Sequence, residues 1–464
     1  MGPSPIRVLG AAYAAVPSAS VHSAAMESMI AALRAELDLV TLKTEDLPHV
    51  KRIADARMFR VPVTNASREE RRQLYMRAVA RQLDAEPYHV VHAMDPWAGQ
   101  VAATHARRRS SAALVYEVLT LPDPEERDEW VEAHRATLAA ATRVIVSCNA
   151  HAKALRPRTP YDVVRPAVDV GVYDMAEPHT YAKPRILYLG PYGASRDLAT
   201  VIEAVGKIRA VRPVHVLFAG DADPERKADL RLLVKRAHLE DTIEVRGEPK
   251  AHALPCVIGA CDVFIASARP DLVDGLGPLP FPLLEPMACA RAVVVADVPG
   301  VSELVRDEVE GLLYPAGTAG ALADAVLEVL RDADLRERIR LAGYQRVRDE
   351  LATGGRRRRI RAVYESIIPG SQGRDPWAEL AEEPSALMEL SDSQIELIEG
   401  ETSAAPDDAT SPRAPAPEVA PEPEKPKREE GPLPRVVARR PPRRPASDTL
   451  PALQVPDTDP GRDE

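Results

Sequence analysis

The sequence predicts an α/β protein built on parallel sheets, long enough for two or three domains and followed by a disordered tail. Three observations predict it. Short apolar runs rich in β-branched residues alternate with amphipathic helical stretches, and that alternation builds βαβ units. Gly- and Pro-containing loops follow several of those runs and open onto helix starts, where parallel sheets meet their ligands. After Gly370 the apolar periodicity stops, and 17 of the 44 Pro lie beyond that point.

Composition narrows the class. The hydrophobic fraction of 45% supports real cores, while aromatics at 4% leave the burial to Ala, Val and Leu. A net charge of −10 argues against a nucleic-acid binder. The 4 Cys (Cys148, Cys256, Cys261, Cys289) form no CxxC pair and sit in or beside apolar runs, as buried reduced thiols do in a cytoplasmic protein. The start lacks a basic region ahead of its apolar run, and Ile6 stands where N-myristoylation needs Ser or Thr. No apolar run approaches the roughly 20 residues of a membrane span.

Taken in order, residues 6–16 open as strand and loop, and a helix follows to about Glu36, with Met26, Met29, Ile30 and Leu33 at helical spacing. Leu37–Leu42 reads as the second strand. Glu69–Leu83 is a charged helix whose arginines form a solvated face. Tyr88–Ala93 is a strand ending at Asp95-Pro96-Trp97. Asp95 suits a ligand-facing loop at a strand's carboxyl end, and a helix N-cap would use the same residue. His92 reads as a core histidine. Ala113–Leu119 and Arg143–Ser147 are strands on either side of the helix Glu125–Ala141, and a composition break at Glu177–Pro184 marks a linker.

The strand Arg185–Gly190 starts the next unit, and its loop to the helix Leu198–Arg209 holds one cation, Arg196. Arginine binds phosphate through a bidentate fork, and a solvated surface residue is the alternative. The strands Val214–Ala219 and Thr242–Val245 flank the helix Glu225–Ala237. The tripeptide Asp221-Ala222-Asp223 reads as first-turn acids rather than metal ligands. Val263–Ile265 is a strand, Leu283–Ala290 a helix bearing Glu285, and Ala292–Ala296 a strand. Gly300-Val301-Ser302 then precedes a helix start at Glu303, which could offer N–H groups to an anion or simply cap itself. Amphipathic helices follow at Thr318–Leu330, Asp334–Asp349 and Arg356–Ile368. The run Arg356–Arg359 reads as a solvated face, with contact to anionic lipid heads at a membrane surface as the alternative.

The run Leu283-Leu284-Glu285-Pro286-Met287-Ala288-Cys289, then Val293–Val295, Asp297-Val298-Pro299-Gly300-Val301-Ser302-Glu303-Leu304-Val305 and Gly311–Pro315 resembles the donor-binding signature of family 4 glycosyltransferases of the GT-B fold. The resemblance implies two Rossmann-like domains facing each other across a cleft, with the disordered tail beyond. They would be an N-terminal acceptor-side domain over residues 1–178 and a nucleotide-sugar donor domain over 183–353. A helix over 354–370 would return to the first domain, and the tail would cover 371–464. It implies transfer of a sugar from a nucleotide-sugar donor to an unidentified acceptor, with retention and with no metal or cofactor required. By resemblance Glu285 holds the ribose hydroxyls, Arg196 faces the diphosphate, and N–H groups near Gly300 and Val301 assist. Asp274, in Asp274-Gly275-Leu276-Gly277, stands in for the family's first glutamate, whose own position is Gly277. The first loop lacks the family's glycine pair, Leu119 occupies the place of a histidine, and Pro191 that of an arginine. These departures support a second reading, an inactive relative serving as a binding scaffold whose tail recruits a protein partner through Leu387–Ile398. A nucleotide-sugar epimerase is a third reading. The expected location is cytoplasmic, peripheral to the inner membrane face if the arginines meet lipid.

Overall fold

The computed structural model describes residues 7–16, 21–33, 36–43, 47–53, 56–107, 112–119, 127–155, 157–174, 181–193, 196–220, 224–269 and 282–367. Gly277, Asp274, the Asp221–Asp223 tripeptide and the tail with its Leu387–Ile398 segment lie outside the described residues.

The first lobe runs β1 (Arg7–Ala15), α1 (Val21–Leu33), β2 (Glu36–Lys43), β3 (Val50–Ile53), β4 (Ala56–Pro62), α2 (Arg68–Ala85), β5 (Val90–Ala93), α3 (Pro96–Ala106), β6 (Ala113–Val118), α4 (Arg127–Ala140), β7 (Arg143–Val146), α5 (Asn149–Leu155) and β8 (Tyr161–Val163). Among the described residues its sheet has the order β3-β4-β2-β1-β5-β6-β7-β8. Every pairing is parallel except β3 with β4. The β3–β4 pair was not expected. It forms an edge whose outer strand carries Lys51 and Arg52, and charge there discourages further strand pairing.

The second lobe runs β9 (Arg185–Leu189), α6 (Leu198–Val211), β10 (His215–Ala219), α7 (Pro224–Arg236), β11 (Ile243–Arg246), α8 (Leu254–Gly259), β12 (Val263–Ala266), α9 (Leu284–Ala288), β13 (Ala292–Asp297), β14 (Leu312–Pro315), α10 (Ala319–Arg331) and α11 (Ala333–Glu350). Its parallel sheet has the order β11-β10-β9-β12-β13-β14. All four residues of β12 are buried, as are Ala292–Ala296 of β13. Strands covered on both faces need such unbroken apolar runs.

The chain passes between the lobes twice, and the two passages are bonded to each other. Val168 donates its N–H to the Leu351 carbonyl at 3.0 Å and accepts from the Thr353 N–H at 3.1 Å. The final described helix, α12 (Thr353–Ile367), belongs to the first lobe, where it packs on α1 with Ile360, Val363 and Tyr364 buried. The arginine run departs from the solvated-face expectation. Arg358 and Arg359 are exposed, but Arg356 is buried and donates to the Glu117 carboxylate. His92 bridges Glu117 at 3.0 Å and the Tyr364 hydroxyl at 2.6 Å, as a core histidine should. Burial opposes the Glu117 charge, yet Arg356 and His92 outweigh it and hold the carboxyl down at about 2. The thiols also differ in part from expectation: Cys148, Cys261 and Cys289 are buried, but Cys256 is exposed.

Candidate active site

The strand order of the second lobe sets the carboxyl ends of β9, β12 and β13 side by side. At the end of β9 the backbone turns through Gly190, and Gly220 lies against it from the end of β10. A Cβ on Gly220 would sit 2.0 Å from the Gly190 carbonyl oxygen, and its φ of +154° suits glycine alone. The floor of the loop is therefore bare backbone.

Arg196 closes that loop. Its N–H bonds the Gly193 carbonyl at 3.1 Å, and its own carbonyl accepts the hydroxyl of Ser267, a buried residue just past β12. The loops after β9 and β12 are thus tied through Arg196, whose side chain is buried. Asp197 follows in the left-handed region, with φ +48°, and α6 begins. Sequence reading did not single out Ser267, since a serine after a strand carries no distinctive pattern.

Glu285 sits in the first turn of α9, half-buried. Burial pushes its carboxyl up to about 7. Across from it on α1 is Glu27, also pushed up to about 7 by burial despite a hydrogen bond from the Ser23 hydroxyl at 3.0 Å. Glu27 feels the charges of both Glu285 and Asp169, so the carboxyls of the two lobes share one electrostatic environment. The Ser23–Glu27 pair has the i,i+4 spacing of one helix face. Only the fold brings this face within electrostatic reach of Glu285.

Gly300, φ +92°, ends the loop after β13 and starts a 3₁₀ turn at Val301–Glu303. The Val301 N–H is bonded to the Val298 carbonyl at 3.1 Å and its side chain is buried.

Asp95 takes the N-cap alternative. Its carboxylate accepts from the Ala98 N–H at 2.9 Å, the Tyr13 N–H at 2.8 Å and the Tyr75 hydroxyl at 2.7 Å. Burial pushes the carboxyl up to about 6 against the pull of these donors. Asp95→Ala is expected to destabilise the protein by about 2–4 kcal/mol, because it removes a cap and strands buried donors. Urea unfolding checks this, with Asp95→Asn, which keeps one acceptor oxygen, losing less. On the neighbouring strand end, Leu119 is buried in the core and offers no polar group. His22, unnoticed in the sequence, lies in the first turn of α1 and bonds to the Met94 backbone. Burial lowers it to about 4 despite nearby Glu117, so its imidazole is neutral at pH 7.

Known proteins match this architecture. The family model for glycosyl transferases group 1 covers residues 176–346, and that for the glycosyl transferase 4-like domain covers residues 19–168. The alpha-D-kanosaminyltransferase of Streptomyces kanamyceticus is 31% identical over 158 residues, 34% of this chain and 39% of that protein. Across this and another curated relative, the chain spans only 39% to 62% of the relative's length. Sucrose-phosphate synthase from Thermosynechococcus elongatus superposes with TM-score 0.66 at 20% identity, over 78% of this chain and 99% of that one. HepE from Anabaena, in complex with UDP and glucose, gives TM-score 0.61 at 16% identity, over 78% of this chain and 100% of its own. Two matched family domains on two parallel-sheet lobes make this chain a member of the family 4 glycosyltransferases of the GT-B fold.

Proposed function

We propose that the protein transfers a sugar from a nucleotide-sugar donor to an acceptor, with retention at the anomeric carbon and no required metal. The observation that carries this is the grouping on adjacent strand ends of a buried arginine, a half-buried glutamate at a helix start and a left-handed glycine turn. A nucleoside diphosphate carries about two to three negative charges, and a site shielded from water must answer them with cations and N–H dipoles. Arg196 faces that charge, the turn at Gly300 assists, and Glu285 accepts the ribose hydroxyls. The first lobe presents the acceptor, and closure of the lobes excludes water. Asp274 remains a candidate beside the sugar. The relative of the superposed fold that holds UDP supports a uridine nucleotide as the first donor to try. No helix among the described residues is long and apolar enough to cross a membrane. We place the reaction in the cytoplasm, and exposed Arg358 and Arg359 are read first as a solvated face, with contact to anionic lipid heads as the alternative.

Thermal-shift titration with UDP, other nucleoside diphosphates and their sugar conjugates tests the donor site, since a ligand of the native state raises Tm with concentration. Glu285→Ala should weaken the binding ligand by about 10–100-fold, the worth of hydrogen bonds to a charged group. The carboxyl of Glu285 loses its proton as pH rises through about 7, and the carboxylate is the better double acceptor. Affinity should therefore rise from pH 6 to pH 8 and lose that slope in Glu285→Gln. Glu27→Gln separates the contribution of its neighbour. Absence of any shift at millimolar nucleotide would overturn the reading.

A further inference from the structure

Glu303 ends the 3₁₀ turn that starts at Gly300, yet its side chain works in the other lobe. Its carboxylate accepts the Asn149 side-chain N–H at 2.9 Å, the Asn149 backbone N–H at 3.2 Å and the Ala150 backbone N–H at 3.2 Å. Arg165 of the first lobe stands 4.0 Å away. Asn149 and Ala150 are the first residues of α5, which follows the carboxyl end of β7, so the contact spans the rims of both sheets. The carboxylate is 19% exposed, which limits competition from water. On its own side, the Glu303 carbonyl accepts from the Arg346 guanidinium at 2.9 Å, and Arg346 pairs with Glu310 at 3.6 Å. Glu303 is thereby fixed in the second lobe by its backbone and in the first lobe by its side chain.

We propose that Glu303 is a positioning residue that couples the turn at Gly300 to the acceptor-side lobe, so that the transfer geometry assembles only when the lobes are latched. This inference rests on the donor reading of that turn. A latch is needed on physical grounds. The donor groups sit on β9, β12 and β13 of one lobe, the acceptor must come from the other, and a misplacement of 1 Å costs about 10²-fold in rate. A carboxylate taking three N–H groups defines both distance and direction.

The coupling predicts a split between binding and turnover. The Glu303 side chain bonds the first lobe while its backbone keeps the turn, so Glu303→Gln should leave the Kd of UDP within about threefold of wild type. The kcat for transfer should fall by about 10–100-fold. Hydrogen exchange should quicken about tenfold at one of the Asn149 and Ala150 amides in the same variant, because glutamine keeps one acceptor oxygen where the carboxylate has two, and at both amides in Glu303→Ala. Asn149→Ala, which removes one of the three donors from the opposite lobe, should move kcat in the same direction by a smaller factor. A purely structural role would lower Tm and leave kcat per folded molecule unchanged, and that outcome overturns the proposal. So does unchanged exchange at the two amides. A wild-type protein that binds UDP and transfers nothing defeats the proposed function. The latch falls with it, whereas an active wild type with kcat unchanged in Glu303→Gln defeats the latch alone.

Discussion

Replacing Arg196 by alanine is expected to lower kcat/KM by about 10²–10³-fold, the cost of removing one preorganised group from a developing anion. The loop should survive the change. The Arg196 N–H is bonded to Gly193 and its carbonyl to Ser267, so the backbone is held by contacts that alanine keeps. The loss would therefore report the guanidinium and not a collapsed loop. Arg196→Lys makes the sharper comparison. Lysine keeps the charge but not the planar two-pronged donor, so about a tenfold loss separates fork from charge. Steady-state rates with varied donor, alongside Tm for each variant, check this. Equal kcat/KM in wild type and Arg196→Ala would remove Arg196 from the donor site.

The largest stability effect is expected at Arg356. Changing it to methionine leaves the Glu117 charge buried without its guanidinium, and breaking such a pair costs about 3–5 kcal/mol. The double variant with Glu117→Gln should recover part of that loss, because the stranded charge goes with its partner. Acid sensitivity carries the same signature. The folded carboxyl of Glu117 is held down at about 2, against 4.5 for the ordinary group. Its contribution is thus fully present above pH 4.5 and disappears as pH falls from there toward 2. Urea unfolding of wild type and Glu117→Gln across that range reads the difference directly. A variant as acid-sensitive as wild type would assign the acid loss elsewhere.

Much of the fold was legible because the sheets are parallel apart from the β3–β4 edge and are covered on two faces. Their strands appear as plain apolar runs such as Val263–Ile265 and Ala292–Ala296, separated by helices. The signature from Leu283 to Pro315 was legible for a further reason: its order of strand, helix and glycine turn is local in sequence. What escaped was set by partners far along the chain. Within Arg356–Arg359 four identical residues stand in a row, and only the docking of α12 decides that the first goes inward to Glu117. Glu303 and Asn149 are 154 positions apart, and neither has a pattern that points to the other. Asp95 fitted a helix cap first and a ligand-facing loop second in the sequence, and its bond from the Ala98 N–H, with those from Tyr13 and Tyr75, decides for the cap. The β3–β4 edge, four residues paired with seven, is too short and too charged to show a period.

The first lobe is written in two places, with the whole second lobe between them, and this sets an order of events at the ribosome. Glu117 and His92 emerge early, but Arg356 follows Glu117 by 239 residues. At about 5–20 residues per second, that is a wait of roughly 12–48 s. During this interval the nascent first lobe holds a carboxylate at a site built for an ion pair, and α1 lacks the helix that covers it. The second lobe is one continuous stretch from Arg185 to Glu350 and contains all its own strands, so it can be finished first. α12 thus acts as a closing clasp on the first lobe. The last of the described helices completes the lobe whose strands left the ribosome first.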